Sequence, residues 1–204
     1  MQPRANAQRE YLGALSEIAR RIAASLDNAA PQVLPIRMYI AGGAALHFYT
    51  GERVSRDVDA AFSHRIALPD DLEVAYRGAD GAARLLYFDR NYNDTLALMH
   101  EDAYDDSQPL ALPGVDANVL DVRLLSPLDL AVSKLGRFSS QDSDDIAALA
   151  RHGLIEAEEV RQRAEAALTA YVGNTSRVQN TIDIACRIVD NTRVSGVQPR
   201  PGAG

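Results

Sequence analysis

The chain has few of the residues that staple small proteins together. It holds a single cysteine, Cys186, in 204 residues, which excludes an internal disulfide framework and a multi-cysteine zinc site. Cys186 falls in an apolar helical pattern and reads as inert core. There is no tryptophan, and no apolar run reaches the length of a membrane span. The first residues show no signal-peptide pattern, so a cytoplasmic protein without membrane contact is expected. Lysine is almost absent: there are 20 arginines and one lysine, Lys134, and the formal net charge is −7. That balance disfavours a protein that coats nucleic acid non-specifically, while segregated basic patches stay compatible with it. The bland explanation of the arginine bias is the base composition of the coding DNA. Against that bias, one lysine suggests a place where a compact point charge serves better than a wide fork, as in a crowded phosphate site.

What is present suits a globular chain. Hydrophobic residues make up 47% and charged residues 24%, and the length suffices to bury a core. Residues 7–26 predict an amphipathic helix, with Tyr11, Leu15, Ile18, Ile22 and Leu26 on one stripe. "RMYIA" predicts a strand stopped by Gly42-Gly43, "AALHFYT" a short helix closed by Gly51, and "VSRDVDAAF" a second strand. "LEVAY" and "ARLLYFD" flank "RGADGA" as a hairpin. "HEDAYDDSQ" reads as a solvated acidic loop, and "ANVLDVRLL" as another strand. The pattern then turns helical. "SPLDLAVSKLGRF" opens with Ser126 as N-cap and Pro127 at the first position. "DSDDIAALARHG" and "EAEEVRQRAEAALTAYVG" follow, closed by Gly153 and Gly173, and a last helix covers about 175–189. The expectation is an α+β fold, a mixed sheet flanked by helices with a helical C-terminal subdomain. Its boundaries are 1–125 for the core with its N-terminal helix, 126–191 for the helical part and 192–204 for a disordered tail.

The chemistry concentrates in "MYIAGGAALHFYTGERVSRDVDAAF". If "VSRDVDAAF" is extended, Arg53, Ser55, Asp57 and Asp59 share one face, and Val58, Ala60 and Phe62 the other. Neighbouring carboxylates repel, and a divalent cation compensates both. Carboxylate oxygens suit Mg²⁺, which takes one or two of them plus water and substrate phosphates. Gly42 and Gly43 let backbone approach a ligand closely, and the helix that follows presents unpaired N–H groups to an anion. Phosphate on the glycines and metal on Asp57 and Asp59 make a site for a nucleoside triphosphate. The bland alternative is a tight turn and surface acids. No Walker A pattern occurs. The histidines, His47, His64, His100 and His152, show no ligand spacing and read as surface or packing residues.

This stretch resembles the signature of the nucleotidyltransferase-fold superfamily: a strand, Gly-Gly or Gly-Ser, a helix, then two aspartates one residue apart on the next strand. In particular it resembles the bacterial AbiEii-like and minimal-nucleotidyltransferase toxin group, with Gly42, Gly43, Gly51, Arg53, Ser55, Asp57 and Asp59 on the pattern. A second element of that group, a Lys-Leu helix followed by D-x-x-D, falls on Lys134, Arg137, Asp142 and Asp145. The resemblance implies transfer of a nucleoside monophosphate from an NTP to an acceptor hydroxyl. Mg²⁺ or Mn²⁺ would sit on Asp57 and Asp59, the phosphates on Gly42, Gly43, Arg53 and Ser55, and Lys134 would neutralise charge. Asp121 in "VLDVRLL" is either a third metal ligand or an acid paired with Arg123. Asp145, ahead of Asp144, is a further catalytic candidate, although first-turn acids are also favoured by the helix dipole. The implied role is the toxin of a toxin–antitoxin or phage-defence pair with a cognate antitoxin, and tRNA or a protein as acceptor. A non-catalytic nucleotide- or RNA-binding module and an antibiotic-modifying enzyme are the alternatives.

Overall fold

In a computed structural model of the chain, the described residues are 9–27, 29–92 and 97–196. The architecture is α+β. The chain divides into two units, Met1–Asp94 with Asp102–Ser126, and Thr95–Glu101 with Pro127–Gly204.

The first unit carries two sheets. Helix α1 (Arg9–Ser25) buries Tyr11, Leu15, Ile18 and Ile22, whose spacings of three and four make one helical face. Strand β1 (Ile36–Ile40) runs into helix α2 (Gly42–Thr50). Gly51 ends α2 in the left-handed region at φ 69°, and its N–H bonds the His47 carbonyl. The two glycines belong to the first turn of α2 rather than to a turn before it. The segment predicted as one strand is split into β2 (Asp57–Val58) and β3 (Ala60–Phe62). Strand β3 pairs antiparallel with β1. Strand β2 instead pairs parallel with β5 (Ala83–Phe88), which forms the expected hairpin with β4 (Glu73–Arg77). Two sheets share one alternating segment, and Asp59 is the residue where it changes sheets. In the first sheet, β1 lies between β3 and β7 (Leu120–Leu124), with a short β6 (Gln108–Pro109) on the outer edge. The acidic stretch is less solvated than predicted: Ala103 is buried and the Tyr104 ring meets Tyr39 at 4.4 Å.

The second unit is helical: α3 (Pro127–Ser133), α4 (Ser140–Arg151), α5 (Ala157–Leu168) and α6 (Thr175–Gly196). Helix α4 starts two residues earlier than predicted because Ser139 and Asp142 close a reciprocal capping box. Helix α5 stops at Leu168 rather than at Gly173. Thr169, Tyr171 and Val172 are weak helix formers, and Val172 is 95% exposed, so no packing holds another turn. Helix α6 continues through Gly196, past the predicted end near 189. The first five residues of the expected tail are therefore helical, and residues 197–204 lie outside the described residues. Among the described residues no helix is long and apolar enough to cross a membrane.

Candidate functional site

The glycine turn and the acidic segment meet at the N-terminus of α2. Gly42 has φ 57°, and a Cβ there would lie 1.8 Å from Asp59 Oδ2. Only glycine tolerates both conditions. A Cβ on Gly43 would lie 2.8 Å from Arg53 Nη2 and 2.8 Å from Ser55 Oγ. The buried Ser55 hydroxyl donates to Asp57 Oδ1. The Ala41 N–H donates to the Asp59 carbonyl at 2.9 Å, which fixes Asp59 beside the helix start. Six predicted residues, Gly42, Gly43, Arg53, Ser55, Asp57 and Asp59, are thus brought together. The cause is the change of sheet at Asp59, not a single extended face.

Beneath them lies Tyr11 of α1. It is fully buried, and its hydroxyl is the one buried side-chain polar atom among the described residues with no hydrogen-bond partner. Its ring meets His47 at 4.8 Å and Phe48 at 6.1 Å on α2, and Tyr76 at 6.2 Å on β4, all edge-on. Burial, then Tyr76 and the carboxylates of Asp57 and Asp59, push the phenol pKa up, so the hydroxyl stays a protonated donor. The sequence placed Tyr11 on a core stripe. The signal overlooked was a polar tip on an otherwise aliphatic face. His47 is a packing residue: it is buried, its Nδ1–H donates to the Glu52 carbonyl at 2.7 Å, and burial lowers its pKa.

Asp121 is not brought to this cluster. It lies across from Arg37 on β7, whereas Asp59 is level with Ala41, one residue beyond the Ile40–Leu124 pair. Four residues of strand put Asp121 roughly 13 Å back along the sheet. Its carboxylate pairs with Arg123 at 3.2 Å and with Arg37 at 3.9 Å, which is the alternative open in the sequence. The acid level with Asp59 is Asp89, one strand over. Its N–H donates to the Val58 carbonyl at 3.0 Å, and its Oδ1 accepts from the Asn91 N–H at 2.9 Å. Sequence reasoning missed it because only the β2–β5 pairing gives its level. Among the described residues no three His, Cys, Asp or Glu side chains close on one point.

In the helical unit, Lys134 is buried and donates to Asp145 Oδ2 at 2.7 Å, with Asp142 Oδ1 at 3.7 Å. Arg137 chelates Asp142 through two bonds of 2.8 and 3.0 Å. Burial works to raise the Asp142 carboxyl, but Arg137, Ser139 and Lys134 outweigh it and hold it at about 2. The D-x-x-D acids therefore face the lysine that the sequence paired with them.

A cleft of about 750 Å³ opens in the first unit between residues 51–56 and β5. The Tyr87 N–H still bonds the Arg56 carbonyl at 2.9 Å, but upstream of it the chain leaves β5. Arg53, Ser55, Arg56, Tyr76, Arg84 and Tyr87 are among its walls, so it shares Arg53 and Ser55 with the α2 cluster.

A family model described as a nucleotidyltransferase of unknown function (DUF6036) matches residues 14–191. The match bears on the nucleotidyltransferase likeness and not on the toxin group within it. No curated protein and no solved structure matches the chain.

Proposed function

We propose, for a chain that belongs to this family of nucleotidyltransferases of unknown function, that the α2 cluster binds a nucleoside triphosphate with a divalent cation and transfers its nucleoside monophosphate to an acceptor hydroxyl. The observation that carries the reading is the absence of room for a Cβ at Gly42 and Gly43, against Asp59, Arg53 and Ser55. Such contact puts backbone N–H groups, a guanidinium and two carboxylates around one small volume. The donor set suits Mg²⁺ or Mn²⁺, since Asp57 and Asp59 offer only hard oxygen ligands and Mg²⁺ needs no more than one or two carboxylates. Asp89 is the acid best placed to join them.

The reaction forms a bond from the acceptor oxygen to the α-phosphorus, breaks the bond to pyrophosphate and releases the hydroxyl proton to water. The N–H groups of the first turn of α2 face the leaving phosphates, and Arg53 adds a fork that matches phosphate oxygens. Ser55 holds one oxygen of Asp57 and leaves the other for the cation. Bound metal would offset phosphate charge and polarise the α-phosphoryl group. Lys134 and Asp145 enter this reading through the family resemblance alone.

Purified protein incubated with each α-labelled triphosphate, Mg²⁺ and either total RNA or cell lysate is expected to move label to an acceptor. Asp57→Asn should abolish the transfer, and Ser55→Ala should lower it by roughly 10–100-fold, as loss of a carboxylate's supporting hydrogen bond does. Wild-type protein that neither binds a triphosphate nor labels any acceptor would overturn the proposal. Binding without transfer would leave a nucleotide-binding module.

A further inference from the structure

We propose that the cleft beside β5 holds the base of the bound nucleotide, and that the main chain of Ala83 and Leu85 reads the pairing edge of that base. The inference rests on the triphosphate reading of the neighbouring cluster, and it adds what selects the nucleotide. The bonds of the hairpin fix which way the β5 main chain faces. The Phe88 N–H donates to the Leu72 carbonyl at 3.0 Å, and the Gly78 N–H to the Ala82 carbonyl at 2.9 Å. The even-numbered residues of β5 therefore exchange bonds with β4, and the N–H and C=O groups of Ala83, Leu85 and Tyr87 point the other way. That way lies β2, because β5 runs between β2 and β4. The Tyr87 N–H is taken there by the Arg56 carbonyl at 2.9 Å, and the pairing with β2 covers only Asp57 and Val58. Upstream of it, no described residue bonds the Leu85 N–H or the Ala83 carbonyl. Both open into the cleft, which residues 51–56 wall on its far side.

A sheet edge with one strand missing suits a flat ring. A base carries its hydrogen-bonding groups in the ring plane, and its pairing edge sets a donor beside an acceptor. The Ala83 carbonyl and the Leu85 N–H are the complementary pair. They point along the plane of the sheet, so a ring bonded to them continues that plane. Its two faces then meet side chains from opposite faces of β5. Leu85 and Tyr87 stand on one face, 45% and 38% exposed. Arg84, with Tyr76 across the ladder, stands on the other. An apolar cover on one side and a guanidinium on the other both favour an aromatic ring. Arg84 pairs with Asp80 at 2.7 Å, but the side chains are 32% and 55% exposed, and so weak a pair leaves the guanidinium able to lie on the ring. Position ties the cleft to the phosphates. Arg53 and Ser55 belong both to its walls and to the α2 cluster, so a nucleotide whose phosphates rest on α2 extends its nucleoside into the cleft. The cleft volume of about 750 Å³ falls within the roughly 300–1,000 Å³ of small-ligand sites.

The test is calorimetric titration of the full chain, in Mg²⁺, with inorganic tripolyphosphate and with each of the four nucleoside triphosphates. One nucleotide is expected to bind more tightly than the other three and than tripolyphosphate. The analogue of that nucleotide methylated on its pairing edge should bind roughly five- to a hundredfold more weakly, the range for one hydrogen-bond partner left unmade. Leu85→Pro removes the N–H that faces the cleft and no bond to β4. It should level the four nucleotides while tripolyphosphate binds as it does to wild type. Leu85→Ala keeps the N–H, and should weaken all four nucleotides without changing their order. Where the proline variant does not fold, the methylated analogue on wild-type protein decides alone. Tripolyphosphate that binds as tightly as every nucleotide, or a methylated analogue that binds as well as its parent, overturns this inference and leaves the triphosphate reading standing. So does a folded Leu85→Pro chain that keeps its preference for one base. Protein that binds neither tripolyphosphate nor any nucleotide overturns both.

Discussion

At the scale of single residues, Gly42 and Gly43 differ in what replacement would displace. Alanine at Gly42 would hold a left-handed backbone, costing roughly 1–2 kcal/mol, and would drive its Cβ into Asp59 Oδ2. Alanine at Gly43 meets the ends of two side chains, one of them a flexible arginine. Gly42→Ala should therefore lose more stability than Gly43→Ala and should abolish cation-dependent triphosphate binding, while Gly43→Ala weakens it through Arg53 and Ser55. Thermal melts and nucleotide titration of both variants check the order. Reversal of that order would mean that Asp59 moves freely. Tyr11 makes the opposite kind of prediction. Its buried hydroxyl lacks a partner, and an orphaned group of that kind costs about 1–3 kcal/mol. Tyr11→Phe should leave packing intact and raise the urea midpoint of the free protein. A lowered midpoint would show that the hydroxyl is bonded in solution.

At the scale of elements, α4 and the lysine before it form a buried ionic group whose removal must be read with care. Lys134→Ala removes the 2.7 Å bond from Lys134 to Asp145, whereas Asp142 keeps Arg137 and Ser139. Breaking a buried pair from one side costs about 3–5 kcal/mol. Lost activity in that variant is therefore informative about catalysis only where an unfolding curve shows the chain still folded. Asp142 adds a pH signature. Its folded carboxyl lies at about 2, below the ordinary 3.8. Its contribution of about 2 kcal/mol is complete above the ordinary value and is lost as pH falls through the folded one. Denaturation at a series of pH values should show that decline in wild type. Asp142→Asn should lack that part of it and start lower at neutral pH. Element types were largely readable in the sequence: the α1 stripe and the β4–β5 hairpin each follow from local spacing, whereas the capping box that starts α4 at Ser140 was passed over. The change of sheet at Asp59 was not, because residues 54–62 alternate throughout and partner strands alone decide which piece joins which sheet. The same reason kept the levels of Asp89 and Asp121 relative to Asp59 out of sight. An aspartate in a strand pattern carries no mark of its level, and level decides which acids share a cation.

At the scale of the whole molecule, periodicity sets the change from mixed strands to helices at 125–126, and the larger part of the helical unit is Pro127–Gly204. What periodicity missed is that the seven residues Thr95–Glu101 group with the helical unit, although more of the first unit follows them. So short a segment, apolar at four successive positions from 96 to 99, defines no face and gives no sign of where it packs. It carries one strong anchor, Leu98, which is fully buried. A chain cut after Ser126 would keep every strand of the first unit but lose the helices with which Leu98 is grouped. Exposing a buried leucine costs about 1.5–3 kcal/mol and leaves an apolar site for dye. The truncated chain should bind a hydrophobic dye more strongly than the full chain and unfold at lower urea, and Leu98→Ser in the truncated chain should reduce the dye binding. A truncated chain with the full chain's midpoint and no added dye binding would show that the segment can settle within the first unit, and that one cut then separates the two units after all.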